Sequence, residues 1–333
     1  MTDKTIRIAT RGSRLALWQA NYVADLLKAK GYAAALTIIK TKGDIVQDRF
    51  LHEIGGKGLF VKELEASLER RETDIAVHSL KDLPARTPKP FCLAAVLKRH
   101  SSRDVLIMRH ELAGRTGGLK DGALVTSEEL ASWGDVTLAT ASLRRQSLIK
   151  HVAPKAKLAP VRGNVDTRIE KLKTGSWDGL ILASAALERL GLYEMPAREI
   201  DPVWFVPAPA QGALAIESLE DNAFRPIIAE LTDAPTMAHV TMEREALAVM
   251  GGDCTMPFGC HIEYDATSGE TIARAVVLNA DGAAARTELR MAGTFREWES
   301  ASMVQMIVKS LFDAGAEKIL RDLLIAVPDL GKL

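Results

Sequence analysis

Short apolar runs alternate with amphipathic stretches over the first two thirds of the chain. Ile6–Thr10 is a compact apolar run, and the stretch behind it carries Leu17, Ala20, Val23, Ala24 and Leu27 on one helical face. Ser13 stands where it can cap that helix and Gly31 where it can end it. A second strand is predicted over 35–41, a second helix over 59–68 and a third strand over 74–79, before Pro84, Pro88 and Pro90 break the pattern. A further series begins near Asp104, with strands over 105–108, 137–140, 159–161 and 179–183 and helices over 142–150, 165–172 and 185–190. This alternation predicts two parallel, helix-covered sheets, an α/β fold. The Pro- and Gly-rich segment 202–212 leads into an apolar strand over 213–217, which can return the chain to the first domain. Two such crossings make a hinge.

The texture then changes. A helix over 237–250, a Gly-rich loop, an antiparallel hairpin over 271–279 and 284–292 turning at Asp281-Gly282, and an amphipathic helix over 300–312 predict a smaller α+β domain. The expected layout is a first domain from 1–101 and 213–230, a second from 104–206 and a third from 234–333, which suits a chain of 333 residues.

Composition narrows the function classes. With 47% hydrophobic and 26% charged residues the chain is of ordinary globular type. Its 43 basic and 43 acidic side chains cancel, so no overall field draws it to nucleic acid or an anionic membrane, and any anion recognition must be local. The first residues show no signal peptide or transit segment, and no apolar run is long enough to span a membrane. Cys92, Cys254 and Cys260 form an odd, unpaired set, which fits a reducing compartment. A cytoplasmic location is expected. Cys92, in an apolar run, reads as core.

The arginines carry the chemical signal. Arg11 follows the first strand and precedes the Ser13 cap, Arg144 and Arg145 follow Ser142 in the first turn of a helix, Arg162 ends a strand, and Arg168 follows Asn164 near the next helix start. A cation at a helix N-terminus is disfavoured by the dipole, so something must offset it. A bound carboxylate or phosphate does so, and in open α/β sheets ligands sit at the carboxyl ends of strands. Each arginine alone is explained as well by a surface acid such as Glu63 or Asp166. Four junctions repeating the theme favour a ligand rich in carboxylates.

Lys81 and Asp82 close the third strand before Pro84, so both are expected at the same strand ends, where an ionised aspartate can steady a cationic nitrogen or relay its proton. Cys254, in Gly251-Gly252-Asp253-Cys254, has no apolar neighbours and suits a covalent anchor or nucleophile. A metal site from Cys254, Cys260 and His261 lacks ligand spacing. The glycines of 55–60 precede a helix but miss the Walker spacing and read as a mobile loop.

In order along the chain stand Ile8-Ala9-Thr10-Arg11-Gly12-Ser13, Gly55-Gly56-Lys57-Gly58-Leu59-Phe60, Val77-His78-Ser79-Leu80-Lys81-Asp82-Leu83-Pro84, Ser142-Leu143-Arg144-Arg145-Gln146, Arg162-Gly163-Asn164, Arg189-Leu190-Gly191 and Gln211-Gly212-Ala213. Together these segments resemble the porphobilinogen deaminase (hydroxymethylbilane synthase) family. The resemblance implies two doubly wound domains like periplasmic binding proteins, with the active site between them, and a smaller α+β domain. It implies a transferase that joins four porphobilinogens head to tail, with loss of ammonia, into hydroxymethylbilane, on a dipyrromethane primer held by a thioether to Cys254. Asp82 is then the catalytic residue; Lys81, Asp82, Thr140, Ser142, Arg144, Arg145 and Arg168 hold the cofactor; Arg11, Ser13, Phe60, Arg162, Arg189 and Gln211 hold substrate. The implied partners are porphobilinogen and the growing polypyrrole, with a monomer as the working form. Ala210 stands where the family usually has glycine, and Asp253 where it has Gly or Ser.

Two other classes fit parts of the pattern. A non-catalytic two-domain organic-anion binding protein shares the cleft but has no use for Cys254. A lysine-based pyridoxal-phosphate enzyme using Lys57 or Lys81 lacks a phosphate cup.

Overall fold

The computed structural model describes residues 5–41, 61–115, 123–252, 256–294 and 300–328. Thirteen strands are described: β1 (Ile6–Thr10), β2 (Ala34–Ile38), β3 (Ile75–Ser79), β4 (Phe91–Val96), β5 (Asp104–Met108), β6 (Thr137–Ala139), β7 (Lys157–Ala159), β8 (Gly179–Ala183), β9 (Ala197–Glu199), β10 (Leu214–Leu219), β11 (Phe258–Asp265), β12 (Glu270–Leu278) and β13 (Ala284–Ala292). The chain divides into two compact units, Met1–His100 with Gly212–Met237, and Ser101–Gln211 with Ala238–Leu333. Among the described residues no helix is long and apolar enough to cross a membrane.

The first unit is built on a five-stranded sheet in the order β2-β1-β3-β10-β4. The helix Arg14–Ala29 starts at Ser13, whose hydroxyl accepts the Ala16 N–H, and buries Ala20, Val23, Ala24 and Leu27. These pack on Ile6, Ile8, Ile75, Val77, Leu214 and Ile216, and each fully buried Ile or Leu contributes about 1.5–3 kcal/mol. Ala9, Ala76 and Phe91 meet Leu64 and Leu68 of the helix Lys62–Glu69 in a separate cluster. The alternation along β1 and β3 divides the layers.

In the second unit, five strands run in the order β7-β6-β8-β5-β9, and β11-β12-β13 form an antiparallel sheet against which the helix Ser300–Asp313 buries Met303, Val304, Ile307, Val308 and Leu311. The turn between β12 and β13 sits at Asp281-Gly282 as predicted, with Asn279 Oδ1 accepting the Asp281 and Ala283 N–H groups. Gly282 has φ +87° and no room for a side chain, since a Cβ would lie 2.8 Å from the His151 nitrogen. Its carbonyl oxygen lies 2.8 Å from His151 Nδ1, so this turn docks on the end of the helix Leu143–Val152.

Both large sheets are mixed, where parallel ones were predicted. In the first, β1 is parallel to β2 and β3, but β10, inserted between β3 and β4, is antiparallel to both, because it begins at Leu214 beside Ser79, the carboxyl end of β3. In the second, β6 is parallel to β7 and β8, while β5 is antiparallel to β8 and β9. The strand predicted over 159–161 lies at Lys157–Ala159, since Pro160 has no N–H to give a ladder. The helix predicted from 237 begins at Ala234, where the Asp233 carboxylate accepts the Thr236 N–H. Cys92 is half-buried rather than core, because β4 is an edge strand; its Sγ lies 3.7 Å from Ser218 Oγ.

Candidate active site

In the first unit, β1 and β3 are parallel neighbours, so the residues that follow them emerge at one edge. Arg11 and Ser13 follow β1. A 3₁₀ turn, Leu80–Asp82, follows β3 and carries Lys81, half-buried, and Asp82, exposed. The turn is tied from below: Leu80 is fully buried, its N–H donates to the Ala213 carbonyl at 3.0 Å, and the Leu83 N–H donates to the Leu80 carbonyl at 3.2 Å. Gln19, buried on the helix Arg14–Ala29, donates from Nε2 to Ser79 Oγ at 2.9 Å. Two cationic side chains, two hydroxyls and one exposed acid therefore share an edge whose backbone is held by buried contacts.

In the second unit, parallel β6, β7 and β8 likewise end at one edge. After β6, the Thr140 hydroxyl accepts the Ser142 N–H at 3.2 Å, and Ser142 Oγ caps the helix Leu143–Val152 by accepting the Arg145 N–H. After β7 come Arg162 and Gly163, whose φ of +109° turns the chain into the helix Val165–Thr174. Arg168 Nε donates to the Gly163 carbonyl at 2.7 Å and Lys171 Nζ to the Arg162 carbonyl at 3.1 Å. Arg189 is buried in the last turn of the helix Ser184–Leu190, where the dipole favours a cation.

Arg144 and Arg145 do not reach this edge freely. Both are buried and both grip Asp104, itself fully buried: Arg144 Nη2 lies 2.8 Å from Oδ2, and Arg145 Nη2 lies 2.7 Å from Oδ1. Arg144 also donates to the Val206 carbonyl and lies over the Phe205 ring, and Arg145 donates to the Ile181 carbonyl. Burial pushes the Arg144 guanidinium below its ordinary value, against the pull of Asp104. The acid is there because β5 runs antiparallel, so its first residue, Asp104, pairs with Ala183 at the end of β8. A sheet expected to be parallel hides that partner.

Gln211 is fully buried and its Nε2 donates to the Ser102 carbonyl at 2.7 Å. Beside it, Ala210 has φ +61°, the left-handed region that glycine fills more easily. Its N–H donates to Glu243 Oε2 at 2.7 Å, while Glu243 Oε1 accepts the Ile262 N–H at 2.8 Å. Glu243 was missed by sequence reasoning, although it sits between Val240 and Leu247 on the apolar stripe of its helix, an unusual place for an acid. Glu199 was also missed: burial pushes its carboxyl up, but hydrogen bonds from Ser184, Arg103 and Ser101 together hold it below its ordinary value. Phe60 and Cys254, with the loop 55–60 and Asp253, lie outside the described residues; Gly252 and buried Met256 flank the cysteine.

Residues 6–225 match the family profile described as the dipyromethane cofactor binding domain of porphobilinogen deaminase, and residues 237–313 match that family's C-terminal domain. The chain belongs to the porphobilinogen deaminase family. A porphobilinogen deaminase of Bordetella parapertussis is 39% identical over 326 residues, covering 97% of this chain and 98% of the relative. Those of Xylella fastidiosa and Stenotrophomonas maltophilia are 41% and 40% identical and each cover 95% of this chain, with 98% and 99% of their own lengths. Among solved structures, the ancestral cationic amino acid solute binding protein AncCDT-1 has a TM-score of 0.40 at 11% identity, covering 68% of this chain and 87% of its own. Membership makes the chain an enzyme, a tetrapyrrole-forming transferase with a dipyrromethane cofactor. The donor set at the strand ends fits such a group, since cationic forks, hydroxyls and helix N–H groups suit acetate and propionate side chains.

Proposed function

We propose that this chain joins four porphobilinogens head to tail into hydroxymethylbilane, with Asp82 as the catalytic residue and Cys254 as the point of covalent attachment. The observation that carries the reading is the shared edge of β1 and β3, where Lys81 and the exposed Asp82 stand with Arg11 and Ser13. When bound, the dipyrromethane supplies the pyrrole carbon at which the chain grows. The Asp82 carboxylate accepts a hydrogen bond from the reacting pyrrole N–H, steadies positive charge as the C–N bond to ammonia breaks, and receives the proton released when the new C–C bond forms.

Each pyrrole brings two carboxylates, so negative charge builds up as the product lengthens, and several cations are needed. Arg11, Ser13, Phe60, Arg162, Arg189 and Gln211 hold substrate in this reading, while Lys81, Thr140, Ser142 and Arg168 hold the cofactor. Arg144 and Arg145, clamped on Asp104, contribute remaining N–H groups and a fixed positive field more than freely moving forks. The working form is a cytoplasmic monomer of three domains, without nucleic-acid or membrane partners.

Asp82→Asn tests the reading. The variant should still carry the cofactor mass, while its turnover of porphobilinogen falls by about 10²-fold or more. Near-normal turnover would remove Asp82 from the chemistry.

A further inference from the structure

Two groups in the interior of the first unit have no part in the reading above. His78 on β3 and Glu217 on β10 are 7% and 1% exposed, with Nε2 of the imidazole 3.0 Å from Oε2 of the carboxylate. The separation is that of contact, although the two atoms are not aligned as a hydrogen bond. In the antiparallel register Ala215 faces His78 and Glu217 faces Ala76, so the two side chains share a face of the sheet. That face is the one carrying Ala76, which packs with Leu64 and Leu68 of the helix Lys62–Glu69. Glu65 of the same helix interacts with both: burial, then Glu217, pushes its carboxyl up, and His78 pulls it down.

Three ionisable side chains are an expensive way to fill an otherwise apolar layer. Apolar side chains of similar volume often serve as well or better for stability. Their place along the chain offers another account. His78 immediately precedes Ser79, the last residue of β3, and the turn that follows ends in Asp82. That turn is short and tied to Ala213, the residue just before β10, so a slip of β3 against β10 moves Asp82 with it.

We propose that His78 and Glu217 are positioning residues for Asp82: their contact across β3 and β10 fixes the end of β3, and the turn Leu80–Asp82 passes that placement to the catalytic carboxylate. The proposal rests on the reading of Asp82 given above. It differs from a purely structural role in what happens when both polar groups are replaced together, because packing alone restores stability but not the fixed contact.

The test uses the full-length, cofactor-loaded enzyme and compares the double variant His78→Phe/Glu217→Leu with Glu217→Gln and, in parallel, Asp82→Asn. Urea midpoint, intact mass, kcat and KM for porphobilinogen are measured for each. The double variant should keep the wild-type midpoint and cofactor mass, hold KM within about twofold and lose about tenfold or more in kcat, since misplacement by about 1 Å can cost ~10²-fold. A double variant with wild-type kcat overturns the proposal. Should the double variant not fold, Glu217→Gln decides: a kcat loss of about threefold or more at unchanged KM and midpoint supports positioning, and an unchanged kcat overturns it. An active Asp82→Asn sinks the Asp82 reading whatever the pair does; an inactive Asp82→Asn beside a fully active pair variant sinks the positioning role alone.

Discussion

Single residues at the two strand-end edges divide by how deeply they are held. Asp82 is exposed at the end of a turn whose preceding backbone is fixed, the condition a proton-handling group needs. Arg144 and Arg145 are the opposite case, two cations whose first partner is the buried carboxylate of Asp104. Breaking that arrangement leaves two guanidinium groups without their buried counter-charge. Asp104→Asn should therefore lower stability by about 3–5 kcal/mol, read as a fall in the urea midpoint at unchanged slope. A loss below about 1 kcal/mol would show that the pair of arginines has no need of the acid. The arginines were legible as a repeated theme at strand–helix junctions, because helix caps and dipoles are local. Asp104, His78, Glu217 and Glu243 were not, because a buried ionisable group in an apolar run declares its partner only when its tertiary neighbours are known.

At the level of elements, the predicted strands and helices fall in the observed order, whereas β4, β9, β11 and the helices His110–Arg115, Ser127–Ser132, Arg225–Ala229 and Ala316–Asp322 were not predicted, and the caps at Ser13 and Ser142 lie where their hydroxyls accept helix N–H groups. The direction of β5 and β10 was beyond reach. Both were apolar runs between turn-forming segments, and nothing in a run of Val, Leu and Ile says which way it lies against a neighbour. Pro160 sets the end of β7 by forbidding a ladder bond, a constraint already present in the sequence. The crossover 207–212 holds the other departure from pattern, a left-handed alanine secured by Glu243. Ala210→Gly should raise stability by up to about 1 kcal/mol, the relief of the left-handed Cβ less the added freedom of the unfolded chain. A lower urea midpoint in that variant would mean that Ala210 is not strained.

Across the whole molecule the chain forms two compact units, each with its own strand-end edge. Arg11, Ser13, Lys81 and Asp82 lie in the first; Thr140, Ser142, Arg162 and Arg168 lie in the second. With 43 basic and 43 acidic side chains, any excess of cations at the strand ends is offset by an equal excess of acids elsewhere in the chain. Family membership was legible from the ordered motifs, whereas the two-unit division and the docking of the Asp281-Gly282 turn on the helix Leu143–Val152 needed tertiary structure. In the proposed function a pyrrole primer anchored at Cys254 starts the chain. Mass spectrometry of the intact protein, purified from cells that make porphobilinogen, reads that anchor. The expected mass exceeds that of the sequence by two pyrrole units, lost in Cys254→Ser; a native mass equal to the sequence mass would contradict it.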